Sequence, residues 1–271
     1  MLKSRIVPCL LIKNKGLVKT VKFKNPKYVG DPINAVKIFN EKQVDEILIL
    51  DIDSTVNNKD PDYRMIENLA NECRMPLCYG GGIKSADQAQ RILSLGVEKI
   101  ALSSAAFENS ELINEIATQA GNQSVVVIID VKKKFISSRY EVFIRNGTSK
   151  INLDLVEALK LFQTLGVGEI VINSIDNDGL MKGYDFELIS QIRENISVPL
   201  TIIGGAGSYL DLKKLVSSYG VIGAAAGSIF VFKGKYRAVL INYPDDMEKE
   251  KILSIKETLW NKFYKAFQAV K

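Results

Sequence analysis

Short apolar runs alternate with amphipathic segments along most of the chain. Eight runs rich in Val, Ile and Leu have the length and composition of buried strands: 6–12, 46–50, 77–79, 99–102, 125–129, 169–172, 200–203 and 222–226. Six intervening segments have the spacing of amphipathic helices: 32–42, 62–73, 86–95, 153–165, 186–195 and 210–217. This alternation predicts parallel β/α units.

The two halves of the sequence repeat in register. Val44-Asp-Glu-Ile recurs as Val167-Gly-Glu-Ile, and Pro76-Leu-Cys-Tyr-Gly-Gly-Gly recurs as Pro199-Leu-Thr-Ile-Ile-Gly-Gly, both displaced by 123 positions. Two equivalent halves of four units predict an α/β fold, a (β/α)8 (TIM) barrel of two half-barrel repeats that forms one domain over 1–271. A doubly wound open sheet is the alternative, but it predicts neither eight strands nor equivalent halves.

Three segments depart from the regular alternation. Residues 13–30 form a long lysine-rich connection after the first strand, and loops of this length are commonly functional lids. Residues 132–150 indicate an inserted hairpin after the fifth strand. Residues 247–270 predict an amphipathic terminal helix that packs on the barrel.

The absence of histidine narrows the possible chemistry. None of the 271 residues is His, which excludes Ser-His-Asp and Cys-His nucleophilic sites, His-ligated zinc and imidazole general bases. An acid or base must therefore be Asp, Glu, Lys, Tyr or Cys. The strand-end carboxylates are scattered and lack a metal-ligand spacing, so we expect neither a metal nor another cofactor.

Charge and cysteine usage bear on partners and compartment. Lys and Arg number 36 against 31 acidic residues, and the formal charge of +5 is spread along the chain, so we expect no nucleic-acid partner, whereas anionic small molecules remain candidates. The three cysteines form no C-x-x-C pair, which is typical of reduced thiols in a cytosolic protein. The first residues lack a signal-peptide pattern, and the glycine-rich stretch 217–232 is too short to span a bilayer. We expect a cytoplasmic protein that does not enter membranes.

Glycine and serine follow four of the predicted strands, two in each half. In such a barrel these positions lie at the functional end, where glycine lets backbone approach a ligand and a following helix favours an anion. The repeat predicts two phosphate cradles on opposite sides of the barrel mouth, one formed by Gly82, Ser103 and Ser104, the other by Gly205, Gly227 and Ser228. The alternative is that the glycines only make tight β/α turns.

Aspartates also follow the strands, and Asp130 stands out among them. It ends an apolar run, where burial would raise its pKa and let it exchange protons near neutral pH. The alternative is that Asp130 caps a turn or pairs with a lysine such as Lys19. Aligning the first strand with the fifth puts Leu11 opposite Asp130, so a second acid would have to be Asp178 or Asp51.

Charged residues of both signs occur where four strands begin. Arg5, Glu46, Lys99 and Glu169 should meet as a ring at the other end of the barrel. Such a ring is either a structural plug, as is usual at barrel bottoms, or a gate for a small polar molecule.

Motifs in nearly all eight units resemble, in order, the cyclase subunit of imidazole glycerol phosphate synthase (the HisF family). They are Pro8-Cys-Leu, Lys19, Gly30-Asp-Pro, Asp45-Glu-Ile, Leu50-Asp-Ile, Gly80-Gly-Gly-Ile, Val125-Val-Val, Asp130, Gly168-Glu-Ile, Ser174-Ile-Asp-x-Asp-Gly and Gly204-Gly-Ala-Gly. The resemblance implies a bisphosphorylated ribulosyl-imine substrate, ammonia delivered through the barrel by a docked HisH-like glutaminase, and two catalytic aspartates. It further implies that Arg5, Glu46, Lys99 and Glu169 are the ammonia gate, Asp130 a catalytic aspartate and Lys19 the mobile-loop lysine.

The second catalytic aspartate of that family falls on Leu11, which cannot transfer a proton, and Ser103 stands where the family usually has asparagine. Pro8-Cys-Leu-Leu-Ile-Lys and Val18-Lys-Thr-Val-Lys-Phe-Lys resemble paralogues associated with surface-polysaccharide (acetamidino sugar) biosynthesis. This resemblance implies a subunit that passes ammonia to a separate sugar-amidating enzyme. The alternatives are an active cyclase of histidine biosynthesis, with Asp130 and Asp178 as acid and base, and a regulatory barrel that binds a phosphosugar.

Overall fold

Eight parallel strands form the centre of the structure. In the computed structural model, which describes residues 3–135 and 137–254, they are β1 (Arg5–Lys13), β2 (Ile47–Asp51), β3 (Leu77–Gly80), β4 (Lys99–Leu102), β5 (Val125–Lys133), β6 (Glu169–Ser174), β7 (Leu200–Ile203) and β8 (Gly223–Ala226). Each pairs in parallel with its neighbours, and β8 pairs with β1. The sheet therefore closes into the predicted (β/α)8 barrel.

Side chains alternate between two apolar cores because successive strand residues point to opposite faces. One core lies inside the barrel and includes Val7, Leu48, Cys78, Val126 and Val171. The other lies between the sheet and the helices, where Ile6, Leu10 and Ile12 of β1 are buried. The two cores hold the strand ends, and hence the site, on a rigid frame.

Helices cover the outside of the barrel. Their bounds are α1 Pro32–Glu41, α2 Tyr63–Glu72, α3 Ala86–Ser94, α4 Ser104–Glu108, α5 Glu111–Ala120, α6 Leu155–Thr164, α7 Phe186–Ile192, α8 Tyr209–Tyr219, α9 Ser228–Val231 and α10 Asp246–Leu253. Short 3₁₀ turns span Asn122–Ser124 and Arg193–Asn195. Several helices begin at a carboxylate that accepts a free backbone N–H, as Asp31 does from Asn34 and Asp154 from Val156. None of the helices described is long and apolar enough to cross a membrane.

Residues 13–30, expected as a long lysine-rich loop after the first strand, form a hairpin. Its strands, Gly16–Val21 and Lys24–Gly30, pair with each other, and the first also pairs with β1. Both turns have positive φ at two non-glycine residues, Asn14-Lys15 and Lys22-Phe23, as the twist of a tight hairpin requires. The segment is an ordered extension of β1 at the barrel mouth.

The other two irregular segments follow the expectation in part. The predicted insertion is a hairpin in which strands Tyr140–Ile144 and Ser149–Ile151 extend the sheet from β5. A further short ribbon, Phe232–Lys233 with Ala238–Val239, follows α9. Of the predicted helix 247–270, α10 accounts for the beginning, and the part from 255 onward lies outside the described residues.

Candidate functional site

Two cavities meet at the carboxyl ends of the strands. The larger leaves about 110 Å³ for the centres of water molecules and the smaller about 40 Å³. Four residues line both of them: Leu11, Phe23, Leu50 and Asn173. The mouth is therefore one site with two lobes.

The larger lobe holds the first predicted cradle. Gly82, Ser103 and Ser104 all line it, together with Asp130. Part of their hydrogen-bonding capacity is already used, because the Gly82 N–H donates to Thr55 Oγ1 at 3.2 Å and Ser104 Oγ accepts the Arg145 N–H at 3.0 Å. The lobe brings the three residues together, and phosphate binding there stays a prediction.

The smaller lobe holds the second predicted cradle. Gly205, Gly227 and Ser228 line it beside Lys19. A Cβ on Gly205, whose φ is +109°, would lie 2.0 Å from the Gly183 oxygen, so only glycine fits. Ser228 Oγ is buried without a hydrogen-bond partner among the described residues, so its hydroxyl is available to a ligand in this lobe, and phosphate binding there stays a prediction.

Asp130 lies in the wall of the larger lobe, on the inner face of β5. Its side chain accepts hydrogen bonds from Asn173 Nδ2 at 2.9 Å and Ser103 Oγ at 3.4 Å, and it is 8% exposed. Burial raises the pKa of Asp130 to about 7, although these two hydrogen bonds oppose the rise. The carboxyl group is thus able to give or take a proton near neutral pH.

Lys19 does not pair with Asp130, so the alternative in which Asp130 forms an ion pair with this lysine is wrong. Its Nζ lies 2.6 Å from Asp178 Oδ1, and Asp178 Oδ2 also accepts from the Thr20 hydroxyl at 2.8 Å. Both members of the ion pair are about nine-tenths buried. The pair joins the hairpin 13–30 to the loop after β6, so two of the predicted catalytic residues also hold the mouth together.

Leu11 faces Asp130 across the mouth as an apolar side chain. It pairs along β1 with Leu50 of β2 and packs against the interior apolar core. Asp51, considered as a substitute acid, is engaged by its own turn and accepts from Asp53 N, Ser54 N and Ser54 Oγ. The position opposite Asp130 therefore offers no proton donor or acceptor of its own.

The charges at the strand starts form the predicted ring. Arg5 lies 2.6 Å from Glu46 and 2.7 Å from Glu169, and Lys99 lies 2.7 Å and 2.9 Å from the same two carboxylates. Thr201 Oγ1 donates to Glu169 at 2.6 Å. Two cations and two anions alternate around the axis, and this closes the bottom of the barrel.

The carboxylates of the ring differ in their titration. Burial and the adjacent Glu169 carboxylate raise the pKa of Glu46. In Glu169 the opposing effect of burial is outweighed by Arg5 and Lys99, which lower its pKa.

A small cavity lies directly above the ring. It leaves about 10 Å³ for the centre of a water molecule, which is room for one small molecule. Its apolar wall consists of Val7, Leu48, Cys78, Val126 and Val171.

Sequence reasoning missed three polar residues of the site: Asn173, Thr20 and Thr201. Strand periodicity could have found two of them. Because Glu169 points inward, Val171 and Asn173 must do so as well, and Thr201 lies at the start of β7 beside Glu169. Thr20 gives no comparable signal.

Comparison with known proteins places the chain among histidine-biosynthesis barrels. The family model described as "Histidine biosynthesis protein" matches residues 5–237. A Vibrio vulnificus protein provisionally named imidazole glycerol phosphate synthase subunit hisF3 is 58% identical over 255 residues, which cover 94% of this chain and 98% of the relative. A Pseudomonas aeruginosa protein provisionally named subunit hisF2 is 52% identical over 245 residues, covering 90% and 97%. The imidazole glycerol phosphate synthase subunit HisF of Lactococcus lactis is 37% identical over 262 residues, covering 96% and 100%.

Proposed function

Since the chain belongs to the histidine biosynthesis protein family, as a HisF-type barrel along nearly its whole length, we propose that it is the synthase subunit of a glutamine-dependent amidotransferase. A HisH-like glutaminase docks at the barrel bottom and releases ammonia there. The barrel conducts this ammonia to its mouth. The proposal rests on the closed ring of two cations and two carboxylates beneath a cavity that has room for one small molecule.

The path through the barrel suits a small neutral molecule. Between the ring and the mouth, the interior is a continuous apolar cluster from Val7 to Ala225. An ammonium ion would lose its hydration there without a counter-charge, whereas neutral ammonia loses far less. The ring provides the polar entrance, and the apolar section favours the uncharged form.

The mouth supports binding of an anionic sugar ligand more clearly than it supports ring closure. Two lobes carry the Gly and Ser residues of the cradles, and the smaller lobe also contains Lys19 in its ion pair with Asp178. Opposite Asp130, however, stands Leu11. We therefore infer a paralogue without cyclase activity of its own. Its motif resemblance to paralogues associated with surface-polysaccharide biosynthesis implies that it passes ammonia to a separate sugar-amidating enzyme.

The second candidate is an active imidazole glycerol phosphate synthase cyclase. It is favoured by Asp130, whose pKa of about 7 suits a general acid or base. Asp178 would be the other proton-transfer group. Its ion pair with Lys19 would then have to open during each catalytic cycle, because that pair and Thr20 occupy both carboxylate oxygens.

The glutaminase interaction tests the proposal. The chain is mixed with the glutaminase subunit of an imidazole glycerol phosphate synthase, and complex formation and glutamine hydrolysis are measured. We expect a complex at micromolar concentrations. Lys99→Met, which opens the ring, should alter coupled glutamine hydrolysis, while Lys160→Met on the exposed face of α6 should not. Absence of any complex would contradict the proposal.

A further inference from the structure

Strand β6 lines the barrel interior from bottom to mouth. Its inward residues are Glu169 in the ring, Val171 in the wall of the cavity above the ring, and Asn173 in the walls of both mouth lobes. At about 3.3 Å per residue, Asn173 lies on the order of 13 Å along the strand from Glu169 of the ring. One strand thus presents a polar, an apolar and again a polar side chain along the axis.

Only the nitrogen of the Asn173 side-chain amide has a hydrogen-bond partner among the described residues. Its Nδ2 donates to Asp130 Oδ1 at 2.9 Å, whereas its Oδ1 has no hydrogen-bond partner among the described residues. The residue is 7% exposed, so bulk solvent does not solvate this oxygen. An ionised Asp130 can only accept hydrogen bonds, so it fixes the amide with Nδ2 toward itself and Oδ1 away. A buried carbonyl oxygen without a donor costs free energy until a donor arrives.

The surroundings indicate what kind of donor this is. The interior below Asn173 is apolar, formed by residues such as Cys9, Ile128 and Ile203. A molecule that has passed the ring meets no polar side chain of this cluster before it reaches Asn173 and Asp130. A donor that reaches Asn173 through the barrel interior must therefore be small and stable in apolar surroundings. Ammonia meets both conditions, and it carries three N–H donors and one lone pair.

We propose that Asn173 Oδ1 is a docking point for ammonia, which it holds by an accepted hydrogen bond at the end of the apolar section. Binding through N–H leaves the nitrogen lone pair unprotonated and free, so the ammonia stays nucleophilic for the acceptor that receives it. Asp130 acts on this site through the amide orientation. The inference rests on the proposed conduction of ammonia and adds the residue that receives it.

The test observes the oxygen directly and needs no glutaminase. The full chain is labelled with asparagine carrying ¹³C at Cγ, and the Asn173 resonance is identified by its loss in Asn173→Leu. Ammonium chloride is titrated at pH 8 and at pH 9, with potassium chloride as the control for ionic strength. Both pH values lie above the pKa of Asp130, so the carboxylate stays ionised. Asn146, whose Nδ2 donates to the Ile52 oxygen in the wall of the larger lobe, is the internal reference.

We expect a saturable shift of the Asn173 resonance that grows from pH 8 to pH 9 at equal total ammonium, because the neutral fraction grows, and no such shift at Asn146. No shift at Asn173, an equal shift at Asn146, or a shift that follows total ammonium at both pH values would overturn the docking site. Since the isolated chain is measured, failure of the glutaminase complex would leave this result unaffected. Conversely, a complex without the Asn173 shift would remove only the docking site.

Discussion

Replacing Asp130 by asparagine should stabilise the protein, and increasingly so as the pH rises. Burial raises the pKa of Asp130 from its ordinary 3.8 to about 7 in the folded chain. The folded state therefore binds a proton more tightly than the unfolded state, and stability is lost as the pH rises from about 4 to about 7. At about 1.4 kcal/mol per pKa unit, the full loss is about 4 kcal/mol above pH 7. Asparagine is neutral and nearly isosteric, so it avoids this loss.

Urea unfolding at pH 5 and pH 8 measures the effect. We expect Asp130→Asn to be more stable than the natural protein by about 4 kcal/mol at pH 8 and by about 2 kcal/mol at pH 5. Glu67→Gln, at an exposed carboxylate of α2, is the matched control and should change stability by less than about 0.5 kcal/mol at both pH values. A difference for Asp130→Asn that is absent, or that does not change with pH, would refute the assignment of a raised pKa.

Three further predictions follow from buried polar groups. Lys19→Met leaves Asp178 buried without its cation and should lower the free energy of unfolding in urea by about 3–5 kcal/mol. The control Lys15→Met, at a 78% exposed side chain paired with Asp62, should lower it by no more than about 1 kcal/mol. Equal effects would contradict the buried pair. Thr201→Val removes the hydroxyl that donates to Glu169 and should lower the free energy of unfolding by about 1.5–3 kcal/mol. The control Thr118→Val, on an exposed helix face, should change it negligibly. No change for Thr201→Val would mean that the ring does not need this donor. Burial raises the pKa of Cys9 to about 12, that of Cys73 to about 11 and that of Cys78 well above its ordinary value. An aromatic disulfide reagent at pH 8 should therefore react slowly with the native protein and quickly with three thiols after unfolding. Fast reaction of the native chain would show that the interior opens.

The barrel itself was predictable because its signals are strong and repeated. Every predicted strand is present within a few residues, since each is a short apolar run between polar segments. The elements that were missed include helices α4, α5 and α9, the ribbon after α9, and the hairpin 13–30. Helices α4 and α5 lie where no helix was predicted, although Leu112, Ile113, Ile116 and Ala117 have helical spacing. The hairpin 13–30 was missed because the turn at Lys22-Phe23 adopts positive φ without the Asn or Gly that usually marks it.

The sequence predicted which residues face the barrel mouth, but it did not predict which of them form ion pairs or hydrogen bonds with one another. Strand-end positions identify Asp130 and the cradle residues, because all carboxyl ends of a barrel meet at one face. The partner of Lys19 could not be read from the sequence, since Asp178 is 159 positions away and the ion pair depends on how the hairpin folds back. Asn173 was not predicted because the candidates were charged residues, serines and glycines at strand ends, and an amide carries no charge.

Turnover of the bisphosphorylated ribulosyl-imine with saturating ammonium chloride, in the natural protein and in Leu11→Asp, tests the central claim most directly. Free ammonium salt bypasses the glutaminase, so only the mouth is tested. We expect no cyclisation by the natural protein and measurable cyclisation by Leu11→Asp, because the variant places a carboxyl group across the mouth from Asp130. Robust turnover by the natural protein would contradict the account and identify the chain as a working cyclase in which Leu11 is tolerated.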